Sequence, residues 1–195
     1  MKKRIALLVV AALGLVAWMA SSVRVSAADD KQDKRIVISL GGLKSRAPLE
    51  WKQEETSRPN RVYQFSVPKV EGDNADAEIA IFYFGPNGAG SVADNITRWK
   101  GMFNPPEGKT INEATKVRRF KTSGEDMTYA DIQGTYKFKA RPFDPNAKEE
   151  LKPDYHMLGV IFGSPKGPYY IRFVGPAKTV NQHQLAFDYW LKSFK

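Results

Sequence analysis

Apolar positions in this chain fall into short runs, alternating or continuous, separated by glycine, proline and small polar clusters; two stretches show helical period instead. The clearest unit is residues 77–103. AEIAIFYF (77–84) is apolar at almost every position, the pattern of a strand covered on both faces. The loop GPNGAG follows, and then SVADNITRWKGMF, where Ser91 and Asp94 stand in capping-box spacing. Val92, Ile96, Trp99 and Phe103 form one apolar stripe, so the unit reads strand, glycine loop, helix.

The rest of the chain is mostly strand. Residues 36–40 are β-branched and end at Gly41-Gly42, and residues 43–48 read as a basic turn. Residues 49–55 predict a short strand with Leu49 and Trp51 on one face. After the Arg58-Pro59-Asn60 turn, residues 61–68 alternate through Tyr63, Phe65 and Val67, and the acidic loop 71–76 makes an antiparallel return to 77–84. Asn104-Pro105-Pro106-Glu107-Gly108 stops the helix. Residues 116–122 and 127–138, joined by Ser123-Gly124-Glu125-Asp126, predict a tight hairpin, with Gly134 marking a bulge or bend. Residues 140–154 carry three prolines and mixed charge, and read as a long irregular contact loop. Strands at 157–162 and 169–174 follow. A last helix spans 179–194, with Thr179 and Gln182 in capping spacing and Val180, Gln184, Phe187, Leu191 and Phe194 on one face. The prediction is α+β: a single antiparallel sheet of about six or seven strands flanked by two amphipathic helices.

The N-terminus adds a compartment. Lys2, Lys3 and Arg4 precede an apolar core at 5–20, and Val25-Ser26-Ala27 fits a small-x-small cleavage site. Residues 1–27 therefore read as a signal peptide, with an uncleaved anchor as the alternative. Residues 28–35 read as a flexible N-terminus and 36–195 as one α+β domain. The expected location is periplasmic or extracellular, with membrane contact only through the signal peptide during export. The chain has no cysteine, which excludes disulfides, thiolate chemistry and a lipid-bearing N-terminal Cys. Its net charge is +9, and Lys2, Lys3, Arg4 and Arg24 belong to the export segment. The remainder is mildly basic, which makes nucleic acid an unlikely partner.

Candidate chemistry is sparse. Gly88, Gly90 and Ser91 sit where a helix N-terminus favours an anion, but the loop lacks the lysine of a phosphate loop and the third glycine of a dinucleotide fingerprint. A glycine-permitted turn feeding a capped helix is the simpler account. His156 and His183 are too few for a metal set and have no serine partner, and no cofactor is expected. Glu54/Glu55 and Glu149/Glu150 offer carboxylates for a cofactor-free hydrolase, although adjacency in sequence does not make a facing pair. The acidic loop lacks the order of a calcium loop. Asn95-Ile96-Thr97 matches a glycosylation acceptor within the helix stripe and reads as chance. Basic residues recur on the strands among aromatics: Arg61, Arg118, Lys121, Lys137, Lys139 and Arg141, with Phe143 beside them. That is a candidate polyanion or polysaccharide surface, or simply the solvated side of half-buried strands.

The apolar strand, the tryptophan-bearing helix and the ending GPYYIRFVGPAKTVNQHQLAFDYWLKSF resemble the PsbP/Mog1-like α/β/α sandwich. APLEW, FYFGPNGAGSVADNITRW and GPYYIRFVGPAKTV further resemble a group of uncharacterised secreted bacterial proteins, such as those of planctomycetes. The fold's known members are a photosystem II extrinsic subunit and a Ran-binding release factor. That resemblance implies a non-enzymatic binding module whose partner is a protein or a cell-envelope component, and it transfers no site residue.

Overall fold

The computed structural model describes residues 34–56, 58–141, 144 and 146–195; residues 1–27, expected to be a signal peptide, most of the N-terminal stretch 28–35, and Phe143 lie outside the described residues. A hairpin comes first, β1 (Val37–Leu40) and β2 (Leu43–Arg46), turned by Gly41-Gly42 with both glycines at positive φ. Residues 43–46 are thus a strand and not the basic turn expected, because a two-residue turn of this kind returns the chain at once. Ile38 and Leu40 turn into the core, and Lys44 exchanges backbone hydrogen bonds with Lys195 at 2.8 and 3.1 Å.

The main sheet follows: β3 (Lys52–Glu54), β4 (Arg61–Val67), β5 (Ala77–Tyr83), helix α1 (Val92–Lys100), β6 (Phe103–Asn104), β7 (Thr115–Thr122), β8 (Glu125–Lys139), β9 (Glu149–Phe162), β10 (Tyr169–Pro176) and helix α2 (Ala177–Lys192). Its order is β3-β4-β5-β10-β9-β8-β6, with β7 also on β8, and every pairing is antiparallel. Among the described residues the sheet has eight strands where about six or seven were expected; β6, two residues long, is too short to show a period. The fold is α+β.

The two sheet faces carry separate cores. On one, Phe65, Ile79, Ile81, Tyr129, Val160 and Phe173 meet Val180, Phe187, Trp190 and Leu191 of α2, with Phe194 just beyond it. On the other, Trp99 of α1 and Phe103 meet Ala130, Ile132, Met157, Ile161 and Tyr170. Helix α1 thus lies on one face and α2 on the other, an α/β/α arrangement. The doubly covered strand read at 77–84 is β5, which contributes Ile79 and Ile81 to one side and Phe82 to the other.

Several expectations shift. Helix α1 ends at Lys100, so Phe103 joins the stripe from β6 and not from the helix. Leu49 is 72% exposed: Trp51 N–H donates to the Pro48 carbonyl, and the resulting turn leaves Trp51 alone to enter the core. Residues 149–154 belong to β9 and not to a loop, because the backbone ladder from Lys139↔Glu149 onward holds a segment whose side chains are largely solvated. Helix α2 starts at Ala177, after Pro176. Thr179 does not cap it in the expected way; its N–H and hydroxyl donate to Asp73 Oδ2 at 2.9 and 2.6 Å.

Candidate functional site

The basic residues singled out along the strands are dispersed by the sheet order. β5, β10 and β9 separate Arg61 on β4 from Lys137 and Lys139 on β8. Arg61 is 6% exposed and lies on the α1 face, where Nη1 donates to Glu78 Oε2 at 3.0 Å and to Gln64, and its guanidinium stands 5.1 Å from the Phe82 ring. It is an interior residue and not a surface one, because an arginine with a carboxylate on the neighbouring strand can be enclosed.

Four of the others meet acids at the surface. Arg118 donates to Asp188 Oδ2 of α2 at 2.9 Å and lies 4.0 Å from the Tyr129 ring. Burial, followed by the Asp188 charge, pushes the Tyr129 phenol well above its ordinary range. Lys121 pairs with Asp126 at 2.8 Å, Lys139 with Glu149 at 3.8 Å and Arg141 with Asp144 at 3.2 Å. Lys137 lies opposite Leu151. Beyond the bulge at Gly134, Tyr136 and Phe138 point to the α1 face, and Lys152 Nζ stands 4.9 Å from the Phe138 ring.

The glycine loop is filled by its own chain. Gly88 and Gly90 take φ of 70° and 90°, and Ala89 N–H donates to the Tyr170 hydroxyl at 2.9 Å. Ser91 Oγ accepts from Asp94 N–H at 3.1 Å, while Ser91 N–H and hydroxyl donate to Asp94 Oδ2 at 3.2 and 2.6 Å. The Ser91 hydroxyl, then its amide, holds the Asp94 carboxyl below its ordinary 3.8. A carboxylate therefore occupies the position an anion would take, and Asn95, fully buried, ties down the carbonyls of Ala89 and Ser91.

The remaining candidates have structural contacts. His156 is buried with Nε2 2.9 Å from Asp131 Oδ1 and Nδ1 2.8 Å from Asn181 Oδ1, which joins the sheet to α2. His183 Nε2 lies 3.1 Å from the Pro68 carbonyl. Glu54 accepts from Gln64, and Glu149 and Glu150 pair with Lys139 and Lys152. In the acidic loop, Asp76 accepts from Ser66 and from Lys69 N–H, and Asp73 holds Thr179. Among the described residues no group of three or more His, Asp or Glu is placed to hold a metal.

Sequence reasoning did not see that KVRRFKT forms a sheet edge. Among the described strands β7 pairs with β8 alone. Two open hollows flank it, one of about 520 Å³ lined by Arg119, Phe120, Lys121, Asp126, Met127 and Thr128, the other of about 290 Å³ running past Arg118 to Asp188 and Lys192. The basic run is visible in the sequence; its position at the edge depends on which strands pair with β8.

No protein-family model matches the chain, and no curated protein matches it. Among solved structures it is similar to the solution structure of cyanobacterial PsbP (CyanoP) from Synechocystis sp. PCC 6803, at 13% identity, covering 83% of this chain and 91% of that one, with a TM-score of 0.46. The likeness is one of fold alone.

Proposed function

We propose that this chain is an exported, non-enzymatic interaction domain that takes an extended acidic segment of a partner protein of the cell envelope along β7. The observation that carries the reading is the edge itself. The two-residue turn Ser123-Gly124 makes Thr122↔Glu125 a pair that exchanges both hydrogen bonds, so alternate residues back along β7 (Lys121, Arg119 and Val117) aim their amides away from β8. An added strand would take up those donors, with affinity from the main chain and selectivity from alternate side chains. Val117 is 46% exposed and offers an apolar contact, while Lys116 and Arg119 have no acidic partner among the described residues. The same positive charges discourage edge-to-edge pairing of two copies. Export is supported by the basic, apolar and small-residue order of residues 1–27 and by the motif resemblance to secreted bacterial proteins.

The test titrates residues 28–195, whose compact unit is Lys34–Lys195, with a short peptide alternating glutamate and valine. Amide exchange at Val117, Arg119 and Lys121 is expected to slow, and Arg119→Glu to weaken binding. Equal binding by Arg119→Glu and by Val117→Pro would overturn the edge as the site. If only heparin is retained, and is lost at moderate salt, the chain is a polyanion or polysaccharide binder instead.

A further inference from the structure

On the α1 face, the half of the sheet formed by β4, β5 and β10 has a charged floor. Strand alternation puts Arg61 and Gln64 of β4, Glu78 and Phe82 of β5, and Arg172 of β10 on this side. Arg172 is unexpected there, because β10 lies in the middle of the sheet and is otherwise apolar. Its neighbours in register are Ala80 and Gly159, two of the smallest residues available, which leave room for a long side chain.

The Phe82 ring lies between two guanidiniums, Arg61 at 5.1 Å and Arg172 at 4.9 Å. Arg98, from the last turn of α1, donates to Asn95 Oδ1 and stands four residues before Met102, whose Sδ touches Arg172. Glu78 is the carboxylate on this floor, and Arg61 already holds it at 3.0 Å. Arg172 Nη1 makes only a 3.6 Å contact to Met102 Sδ, and neither Arg172 nor Arg98 meets a carboxylate among the described residues. Arg61 Nε is buried without a partner among the described residues.

A guanidinium does not lose its proton in a protein, so enclosing one without a counter-ion is costly unless an anion joins it. Among the described residues one carboxylate, Glu78, pairs with one of the three guanidiniums, Arg61, which leaves two positive charges unmatched. Arg98 is exposed and Arg172 is partly exposed, so both side chains keep contact with solvent. Beside them Phe84, 40% exposed, stacks on Phe82 at 6.2 Å and continues the apolar surface away from the charges. We propose that Arg172, Arg98 and Arg61 bind the dianionic head of a phosphate monoester, whose organic part lies along Phe82 and Phe84. Bidentate guanidinium–phosphate hydrogen bonds are the chemistry that selects it.

The test measures binding of inorganic phosphate, phenyl phosphate and vesicles containing phosphatidic acid to residues 28–195, with Arg172→Met and Arg98→Gln as variants. Phenyl phosphate is expected to bind more tightly than inorganic phosphate, and each variant to weaken it at least about tenfold, as loss of a charged hydrogen-bond donor implies. Circular dichroism checks the fold of Arg172→Met, and Arg98→Gln, on the exposed side of α1, tests the site without touching the sheet. Vesicle binding that needs Arg172, with no response to phenyl phosphate, would assign the site to a lipid headgroup and overturn the soluble monoester. Arginine-independent binding, or none to any of the three, would overturn the site itself.

Discussion

The indole of Trp99 rests on the backbone of Gly159, where a Cβ would come within 2.6 Å of the ring. The substitution Gly159→Ala is expected to lift α1 from the sheet and cost about 1–3 kcal/mol, the range for overpacking a filled core. A urea titration followed by tryptophan fluorescence checks it, and an unchanged midpoint would mean that the helix slides without loss. At this scale the sequence is legible where partners are close along the chain. Ser91 and Asp94 are three residues apart, and that spacing alone is enough to read their reciprocal cap. Asp73 and Thr179 are 106 residues apart, and nothing local in either segment announces that one holds the start of a helix for the other.

Helix α1, the turn at Thr110 and the β4–β5 loop are each held by a carboxylate that accepts local hydrogen bonds. Asp94 is lowered by the hydroxyl, then the amide, of Ser91; Glu113 by the amide, then the hydroxyl, of Thr110; Asp76 by the amide of Lys69, then the hydroxyl of Ser66. All three folded-state values lie below the ordinary 3.8 of Asp or 4.5 of Glu. The stabilisation is therefore complete above the unfolded values and is lost as pH falls through the folded ones. Thermal unfolding is expected to be flat in these groups from about pH 7 to about pH 5 and to weaken below about pH 4, with Asp94→Asn flattening part of the fall. A midpoint that rose on acidification would contradict this assignment. Among the elements, β9 is only half legible in the sequence for a related reason. Its first residues are solvated and show no period, so only the ladder to β8 identifies them as strand.

Across the molecule the two faces differ in strength. The α2 face buries Val180, Phe187, Trp190 and Leu191 in a continuous aromatic cluster, with Phe187 in ring contact with Trp51, Tyr129, Phe173 and Trp190. Helix α1 is nine residues long and buries only Asn95 and Trp99. Amides of α1 are expected to exchange through a local opening well before global unfolding, while those of α2 and β10 exchange with the global transition. Equal protection of the two helices in native-state hydrogen exchange would show that the faces unfold as one unit.

The sequence alone determined the α+β class, most strands, both helices, a hairpin turning within residues 123–126 and the irregularity at Gly134, while strand pairing narrowed that turn to Ser123-Gly124. It could do so because period, turn chemistry and capping act between residues close in the chain. Tertiary structure decided the order of the strands. Pairing across long separations put β10 between β5 and β9, left β7 at an edge, and spread the basic residues that looked like one face. It also enclosed Arg61 beside Glu78 and set Arg172 against Phe82, with no ion pair among the described residues. Whether a charge is solvated, paired or left unpaired depends on desolvation and on neighbours from other strands, and no local pattern encodes either.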